Sequence, residues 1–243
     1  MKQACFLLPT YNEAPTIETV LRAIMEQEKI CPAWQFSIVV IDDHSPDHTA
    51  DIVKKLQKEF PTLSLLEGEK EGLGKAYIRG FSWALKHPKK IDYIFEMDAD
   101  LSHHPSYIKD FLSAADQGYD FIIGTRYITG GSCPDWKWYR KMLSYWGNQY
   151  IRLMAGMMNV HDCTSGYRCI RSELLHRIHL DQLQTKGYAF QMSLLHQALK
   201  KGASIFEVPI VFTDRREGKS KLGKEDIKEC LQTATFLRFR KYS

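Results

Sequence analysis

Residues 36–49 read Phe-Ser-Ile-Val-Val-Ile-Asp-Asp-His-Ser-Pro-Asp-His-Thr. An aromatic and β-branched run passes into two acids, a turn and a helix start. Strands of a parallel sheet are covered on both faces, so they read as unbroken apolar runs. Residues 36–41 are therefore expected to form a buried strand. Residues 49–60 return to helical period through Ile52, Val53 and Leu56. The same unit recurs outward from this stretch. Residues 4–8 are an apolar run ending at Pro9, followed over 14–28 by Ile17, Val20, Leu21 and Ile24 at helical spacing. Downstream come strands at 63–66, 93–97 and 121–124, alternating with helices at 75–86 and 105–117. This alternation predicts an α/β fold, a mostly parallel central sheet with helices on both faces. Right-handed crossovers then gather ligands at the carboxyl ends of the strands. Further on, the pattern predicts helices at 136–158, 188–201 and 223–239 and strands at 167–170 and 205–212. With no repeat, low-complexity segment or linker, residues 1–243 are expected to form a single domain.

Composition narrows the function classes. The chain has 243 residues, 44% of them hydrophobic and 26% charged. That excludes a disordered, collagen-like or coiled-coil chain. No apolar run approaches the ~18 residues that span a bilayer, and the N-terminal stretch is too short for a signal peptide. Net charge is 33 − 29 = +4, which permits an anionic partner without requiring nucleic acid. The six cysteines include no CxxC pair. They are expected to be reduced cytosolic thiols rather than zinc ligands.

Polar residues recur at one edge of the proposed sheet. Pro9-Thr10-Tyr11-Asn12-Glu13, Asp42-Asp43-His44-Ser45 and Asp98-Ala99-Asp100 each follow a strand. Helix capping accounts for Ser45 or Asp47 before Thr49. It does not account for Asp98 and Asp100, because Pro105 postpones the next helix. Two carboxylates there suit Mg²⁺ or Mn²⁺, hard cations that prefer oxygen ligands. Gly72-Leu73-Gly74-Lys75-Ala76 lacks the dinucleotide fingerprint and reads as a helix start. The histidines, including His103-His104, read as surface or capping residues, since no third matching ligand accompanies them. Arg126, Arg140, Arg215 and Lys221 are either a solvated charge set or phosphate ligands. Arginine offers a fork for phosphate oxygens.

These pieces resemble a known family. PTYNE at 9–13, VIDDHSPDHT at 40–49, GLGKA at 72–76, MDADLSHHP at 97–105 and GTRY at 124–127 are similar to motifs of family 2 glycosyltransferases with the GT-A nucleotide-sugar fold. RKMLS at 140–144, CTSGYRCIRS at 163–172, GYAFQ at 187–191 and EVPIVFTDRREGKSKLG at 207–223 extend the match. The combination of MDADLSHHP, GTRY and the SKLG loop most resembles the polyprenyl-phosphate (dolichyl-phosphate) β-mannosyltransferases.

The resemblance implies inverting transfer of mannose from GDP-mannose to a polyprenyl monophosphate. Pro9, Tyr11, Glu13, Ile41 and Asp43 would hold the nucleoside. Asp98 and Asp100, with Ala99 between them, would hold Mg²⁺ or Mn²⁺ on the diphosphate. Arg126, Arg140 and Ser144 would face the lipid phosphate. Arg215 and Lys221, in the loop 214–223, would close over the diphosphate. Residues 1–126 would form the donor and metal half and 127–243 the acceptor half. Asp98, Asp100, Arg126, Arg215 and Lys221 are the implied catalytic set. A phosphate acceptor needs no general base, since its second pKa is about 6.

The helix at 136–158, rich in Trp, Tyr, Lys and Arg, is expected either on a bilayer surface or packed on the sheet. The protein would then sit peripherally on the cytoplasmic face of a membrane, with or without a small anchoring subunit. Some relatives continue into transmembrane helices, whereas this chain ends at Ser243. Two other departures stand out. His44 and His48 replace glycines of the family's DDGSPDGT, and a positive φ there would strain histidine. Ser102 stands where some relatives carry glutamine. The competing expectations are a transferase using a UDP-sugar such as UDP-glucose, and a catalytically inactive membrane-surface module.

Overall fold

The computed structural model describes residues 1–183, 187–214 and 224–240. Arg215 and Lys221, expected to close over the donor, lie outside the described residues, as does the rest of 215–223.

Seven strands form one sheet: β1 (Lys2–Thr10), β2 (Trp34–Asp42), β3 (Leu63–Glu67), β4 (Tyr93–Glu96), β5 (Phe121–Thr125), β6 (Arg168–Arg171) and β7 (Ile205–Pro209). Their order is β3-β2-β1-β4-β6-β5-β7. Only β6 runs against the others, antiparallel to both β4 and β5. The expected mostly parallel sheet is therefore present, with the unanticipated exception of β6, which starts at the edge where its neighbours end.

Helices cover both faces. α1 (Ile17–Ile30), α2 (Thr49–Leu56) and α4 (Ile108–Asp116) pack on one side. α3 (Leu73–Leu85), α5 (Trp138–Ala155), α6 (Ser172–Arg177), α7 (Gly187–Lys200) and α8 (Lys224–Phe239) cover the other. β1 shows why its run is apolar throughout. Ala4, Phe6 and Leu8 face the first layer, while Cys5 and Leu7 face the second. All six cysteines are free thiols.

Several boundaries differ from the pattern. α2 stops at Leu56, and residues 57–60 only continue as turns. The expected helix at 105–117 begins as a 3-10 turn, Pro105–Tyr107. β7 ends at Pro209 rather than 212. α6 and a second 3-10 turn, Leu180–Gln182, were not anticipated. Both are shorter than two helical turns, too short for a 3.6-residue period to register. Gly72 caps α3 with φ at 101°, as the helix-start reading required.

Candidate active site

At the carboxyl edge, the ends of β1 and β2 are stitched together by short polar side chains. Thr10 Oγ1 donates to Asp42 Oδ1 at 2.9 Å. Asp42 also accepts from the Ser45 N–H at 2.8 Å and from Ser45 Oγ at 2.6 Å, and Asn12 N donates to Ser45 Oγ at 3.1 Å. Asp47 accepts from Ala14 N at 2.9 Å and Thr49 Oγ1 at 2.6 Å. Burial alone would raise the Asp47 pKa, but these bonds outweigh it and hold it low. Thr49 Oγ1 accepts from Glu13 N at 3.1 Å. The residue that caps α2 is His48, whose side chain makes no capping bond; Asp47 instead accepts from the Thr49 N–H at 3.1 Å, and the same acid fixes the PTYNE loop.

Asp43 points elsewhere and meets Arg79 of α3. Burial raises its pKa, with Arg79 opposing. A side chain at Gly68 would strike the Arg79 guanidinium, 2.4 Å from an added Cβ, so glycine there leaves the pair its room. Pro9 and Tyr11 are partly exposed at this edge and Ile41 is buried. The Lys70 ammonium sits 3.2 Å over the Tyr11 ring. His44 and His48, which replace the family's glycines, both adopt positive φ, 51° and 66°, the conformation that is less favourable for histidine than for glycine.

The Asp98-Ala99-Asp100 loop is held from several sides. Thr16 Oγ1 donates to the Ala99 carbonyl at 2.8 Å, tying the loop to α1. The Asp98 N–H donates to His103 Nδ1 at 3.0 Å. A ring nitrogen that accepts carries no proton, so the tautomer is Nε2–H and the 3.8 Å approach of Nδ1 to the Asp98 carboxylate is not an ion pair. Asp100 Oδ1 accepts from the Ser102 N–H at 2.9 Å. Between them Leu101 has φ at 66°, a strained conformation for a side chain of this kind.

His103 corrects the expectation of a surface residue. It is buried and stacks on Tyr167, centroids 5.0 Å apart. Below this edge Glu96 and Arg168 are fully buried, 3.8 Å apart. Burial pushes the Glu96 carboxyl up to about 8, with Arg168 opposing. Arg168 meanwhile holds the carbonyls of Ser165 and Gln191, each at 2.8 Å.

The donor chemistry here fits a divalent cation. Asp98 and Asp100 supply hard oxygens, and the Ser102 hydroxyl is buried without a hydrogen-bond partner. Among the described residues no three His, Cys, Asp or Glu side chains gather as a complete cage. Two carboxylates leave the remaining positions for substrate oxygens, the usual arrangement for Mg²⁺.

Of the residues expected at the acceptor phosphate, Arg126 and Arg140 come together around one indole. Arg126, just past β5, lies 5.4 Å from the Trp136 ring, and Arg140 of α5 lies 4.0 Å from it. Asp162 grips Arg126 as a fork, with Nε at 2.7 Å and Nη2 at 2.8 Å. Burial would disfavour charge on both, yet their mutual attraction raises the arginine pKa and lowers that of Asp162. Arg140 Nη1 reaches both oxygens of Asp214, at 2.9 and 3.0 Å. The Trp136 indole N–H donates to the same carboxylate at 2.9 Å. Ser144 Oγ and the Tyr127 hydroxyl are 2.5 Å apart. Phe212 joins the two sides, its ring 5.9 Å from His103 and 5.8 Å from Trp136.

Trp136 was expected to open the aromatic helix, on a bilayer surface or packed on the sheet, but it precedes α5 and is buried between the arginines. The rest of α5 is largely open. Only Asn148, Ile151 and Ala155 are buried, while Trp138 is 76% and Trp146 60% exposed. Leu231, Phe236 and Phe239 of α8, which packs against α5, are also exposed. Among the described residues, no helix is long and apolar enough to cross a membrane. A cavity of ≈ 200 Å³ lies at the opposite edge of the sheet, beside Lys2, Asp92 and Arg171. It takes no part in this site.

Asp162, Arg168 and Phe212 were not singled out from sequence, His103 was read as a surface or capping residue, and Asp214 entered only as the first residue of the loop 214–223. Their partners are distant in the chain, and only the folded sheet brings them together. Comparison with known proteins shows the family and the fold. The chain is 39% identical over 227 residues to the polyprenol monophosphomannose synthase of Mycolicibacterium smegmatis, covering 93% of this chain and 83% of that protein. It is 36% identical over 230 residues to the undecaprenyl-phosphate mannosyltransferase of Micrococcus luteus, covering 94% and 91%. Its fold is similar to that of glucosyl-3-phosphoglycerate synthase from Mycobacterium tuberculosis, solved with Mn²⁺, UDP and phosphoglyceric acid. The TM-score is 0.70 at 16% identity, over 100% of this chain and 80% of that one. The glycosyl transferase family 2 profile matches residues 5–178. The single domain is thus GT-A-like, and the chain belongs to glycosyl transferase family 2.

Proposed function

We propose that this protein transfers mannose, with inversion, from GDP-mannose to a polyprenyl monophosphate, giving polyprenyl-phosphate mannose and GDP. The observation that carries this is the convergence of Arg126 and Arg140 on Trp136, joined through Phe212 to the loop of Asp98 and Asp100. A cluster of cations beside a carboxylate pair suits two phosphate-bearing substrates meeting at one sheet edge. The polyprenyl-phosphate relatives support the same acceptor.

Residues 1–126 form the donor half in this reading. The stitched loops of β1 and β2 seat the nucleoside against Pro9, Tyr11, Glu13, Ile41 and Asp43. Asp98 and Asp100 hold Mg²⁺ or Mn²⁺ against the diphosphate. When bound, the ion offsets charge building on the departing GDP. Residues 127–243 form the acceptor half. Arg126 and Arg140 orient the lipid phosphate, with Ser144 alongside. One phosphate oxygen attacks the anomeric carbon from the face opposite the leaving diphosphate, and that bond breaks as the new one forms. The oxygen is already deprotonated near neutral pH, so no side chain has to remove a proton.

The exposed aromatic and apolar side chains of α5 and α8 meet the bilayer interface, where amphipathic rings are favoured. The protein is then peripheral, on the cytoplasmic face of its membrane. The test is incubation with labelled GDP-mannose, polyprenyl phosphate and Mg²⁺ or Mn²⁺, followed by extraction into organic solvent. Label in the organic phase, dependent on the acceptor, is the expected result. Label entering only from UDP-glucose, or from neither donor, overturns it.

A further inference from the structure

We propose that Asp214 is a displaceable counter-ion that occupies the phosphate position on Arg140 until the acceptor arrives. The inference rests on the reading of Arg126 and Arg140 as the acceptor-phosphate pair.

Each arginine already has an acid, Asp162 on Arg126 and Asp214 on Arg140. The cluster is therefore close to neutral. A phosphate monoester carries about −1.5 to −2 charge at pH 7. To attract it, one acid has to leave.

The two pairs differ in how they are held. The Asp162 side chain is 0% exposed. Its oxygens take the Arg126 fork and also the backbone N–H groups of Arg126 and Thr164, at 3.2 and 3.3 Å. Removing it would bare a buried arginine and two amides. The Asp214 side chain is 40% exposed and that of Arg140 35%. Both Asp214 oxygens lean on a single nitrogen, Nη1, rather than on the paired edge that makes arginine–carboxylate contacts strong. Water can solvate Asp214 when it swings away. Trp136 keeps its stacking on Arg140 meanwhile, so the guanidinium stays in place for the incoming phosphate.

The test uses the full chain and geranyl phosphate, a short prenyl monophosphate that needs no membrane, with binding read by calorimetry. Asp214→Asn removes the charge, while its amide oxygen still accepts from Trp136. It should bind geranyl phosphate about two- to five-fold more tightly than wild type, the range of an exposed ion pair. Arg140→Ala should bind more weakly. If Asp214→Asn binds equally or more weakly while Arg140→Ala weakens binding, Asp214 only positions Arg140 and the inference falls, leaving the acceptor reading intact. If Arg140→Ala binds as wild type does, the acceptor reading falls and this inference with it. Should Asp214→Asn not fold, wild type decides. The Trp136 indole N–H resonance should shift on saturation with geranyl phosphate as its bond to Asp214 breaks. A resonance that does not move overturns the displacement.

Discussion

The edge proposed for the donor and the edge proposed for the acceptor are built from different materials. At the donor edge, Thr10, Asp42, Ser45, Asp47 and Thr49 bond mostly to one another and to nearby backbone, closing two loops on themselves. At the edge proposed for the acceptor, two arginines around an indole are held by acids 36 and 74 residues away in sequence. The second pairs Arg126 with a fully buried acid and Arg140 with an acid that is 40% exposed. Under the proposed function, the nucleotide sugar would meet the bonded loops and the lipid phosphate the two arginines.

The sharpest way to break this comparison is to remove the acids on the two arginines. Asp162→Asn leaves a buried guanidinium short of its counter-charge and should lower unfolding free energy by about 3–5 kcal/mol in a urea titration. Asp214→Asn is half-exposed and screened, so the same titration should register less than about 1 kcal/mol. Similar losses for both would erase the distinction between locked and releasable.

Acid tests the second half in another way. His196 of α7 is buried, and burial drops its pKa from 6.5 to about 4. Between those values the unfolded chain binds a proton that the folded one does not. Stability from this group is therefore present above pH 6.5 and lost as pH falls toward 4, by roughly 3 kcal/mol in all. Asp162, with its lowered pKa, loses its contribution in the same direction at still lower pH. His196→Gln should flatten the slope of melting temperature between pH 6.5 and 4. An unchanged slope would place the acid sensitivity elsewhere.

How much was legible follows the same division. β1, β2 and β4 are buried on both faces, so each strand is an apolar run that declares itself. The carboxylates that end them stand in local motifs, and Asp42, Asp47, Asp98 and Asp100 were readable for that reason. β6 was readable as a strand, but nothing in Arg168–Arg171 says that it runs antiparallel between β4 and β5. His103 sits in a polar run, His-His after Ser, and its burial comes from Tyr167, 64 residues on. Asp162 precedes Cys163 without any periodicity to mark it, and its role appears only when β5 brings Arg126 alongside. Trp136 looked like its neighbours Trp138 and Tyr139. Only Asp214 and the two arginines set it apart.

On the donor side, Asp100→Asn should cost at least ~2 kcal/mol of transition-state stabilisation, roughly 30-fold in kcat/KM, because one charge on the proposed cation is lost. Donor affinity without metal should change little. Full activity of the variant in EDTA would remove the cation from the donor edge and leave the cradle to the side chains alone.

The smallest effect belongs to the outer face of the acceptor half. Trp138 and Trp146 are 76% and 60% exposed and belong to neither buried layer. Trp138→Ser combined with Trp146→Ser should therefore leave the melting temperature near that of wild type. If these rings enter the bilayer interface, removing them forfeits about 1–2 kcal/mol of apolar transfer, close to ten-fold in liposome partitioning. The KM for polyprenyl phosphate should rise with it, since the lipid then has to be found from solution. GDP-mannose affinity should stay the same, because the donor cradle is built from β1, β2 and the Asp98 loop and touches neither ring. Salt should release both proteins, as the basic residues of α5 contribute about 1 kcal/mol each near an anionic surface. Unchanged liposome binding by the double variant would mean that these two rings are not the lipid-facing part of α5. The face formed with Phe236 and Phe239 of α8 would then be the next surface to alter.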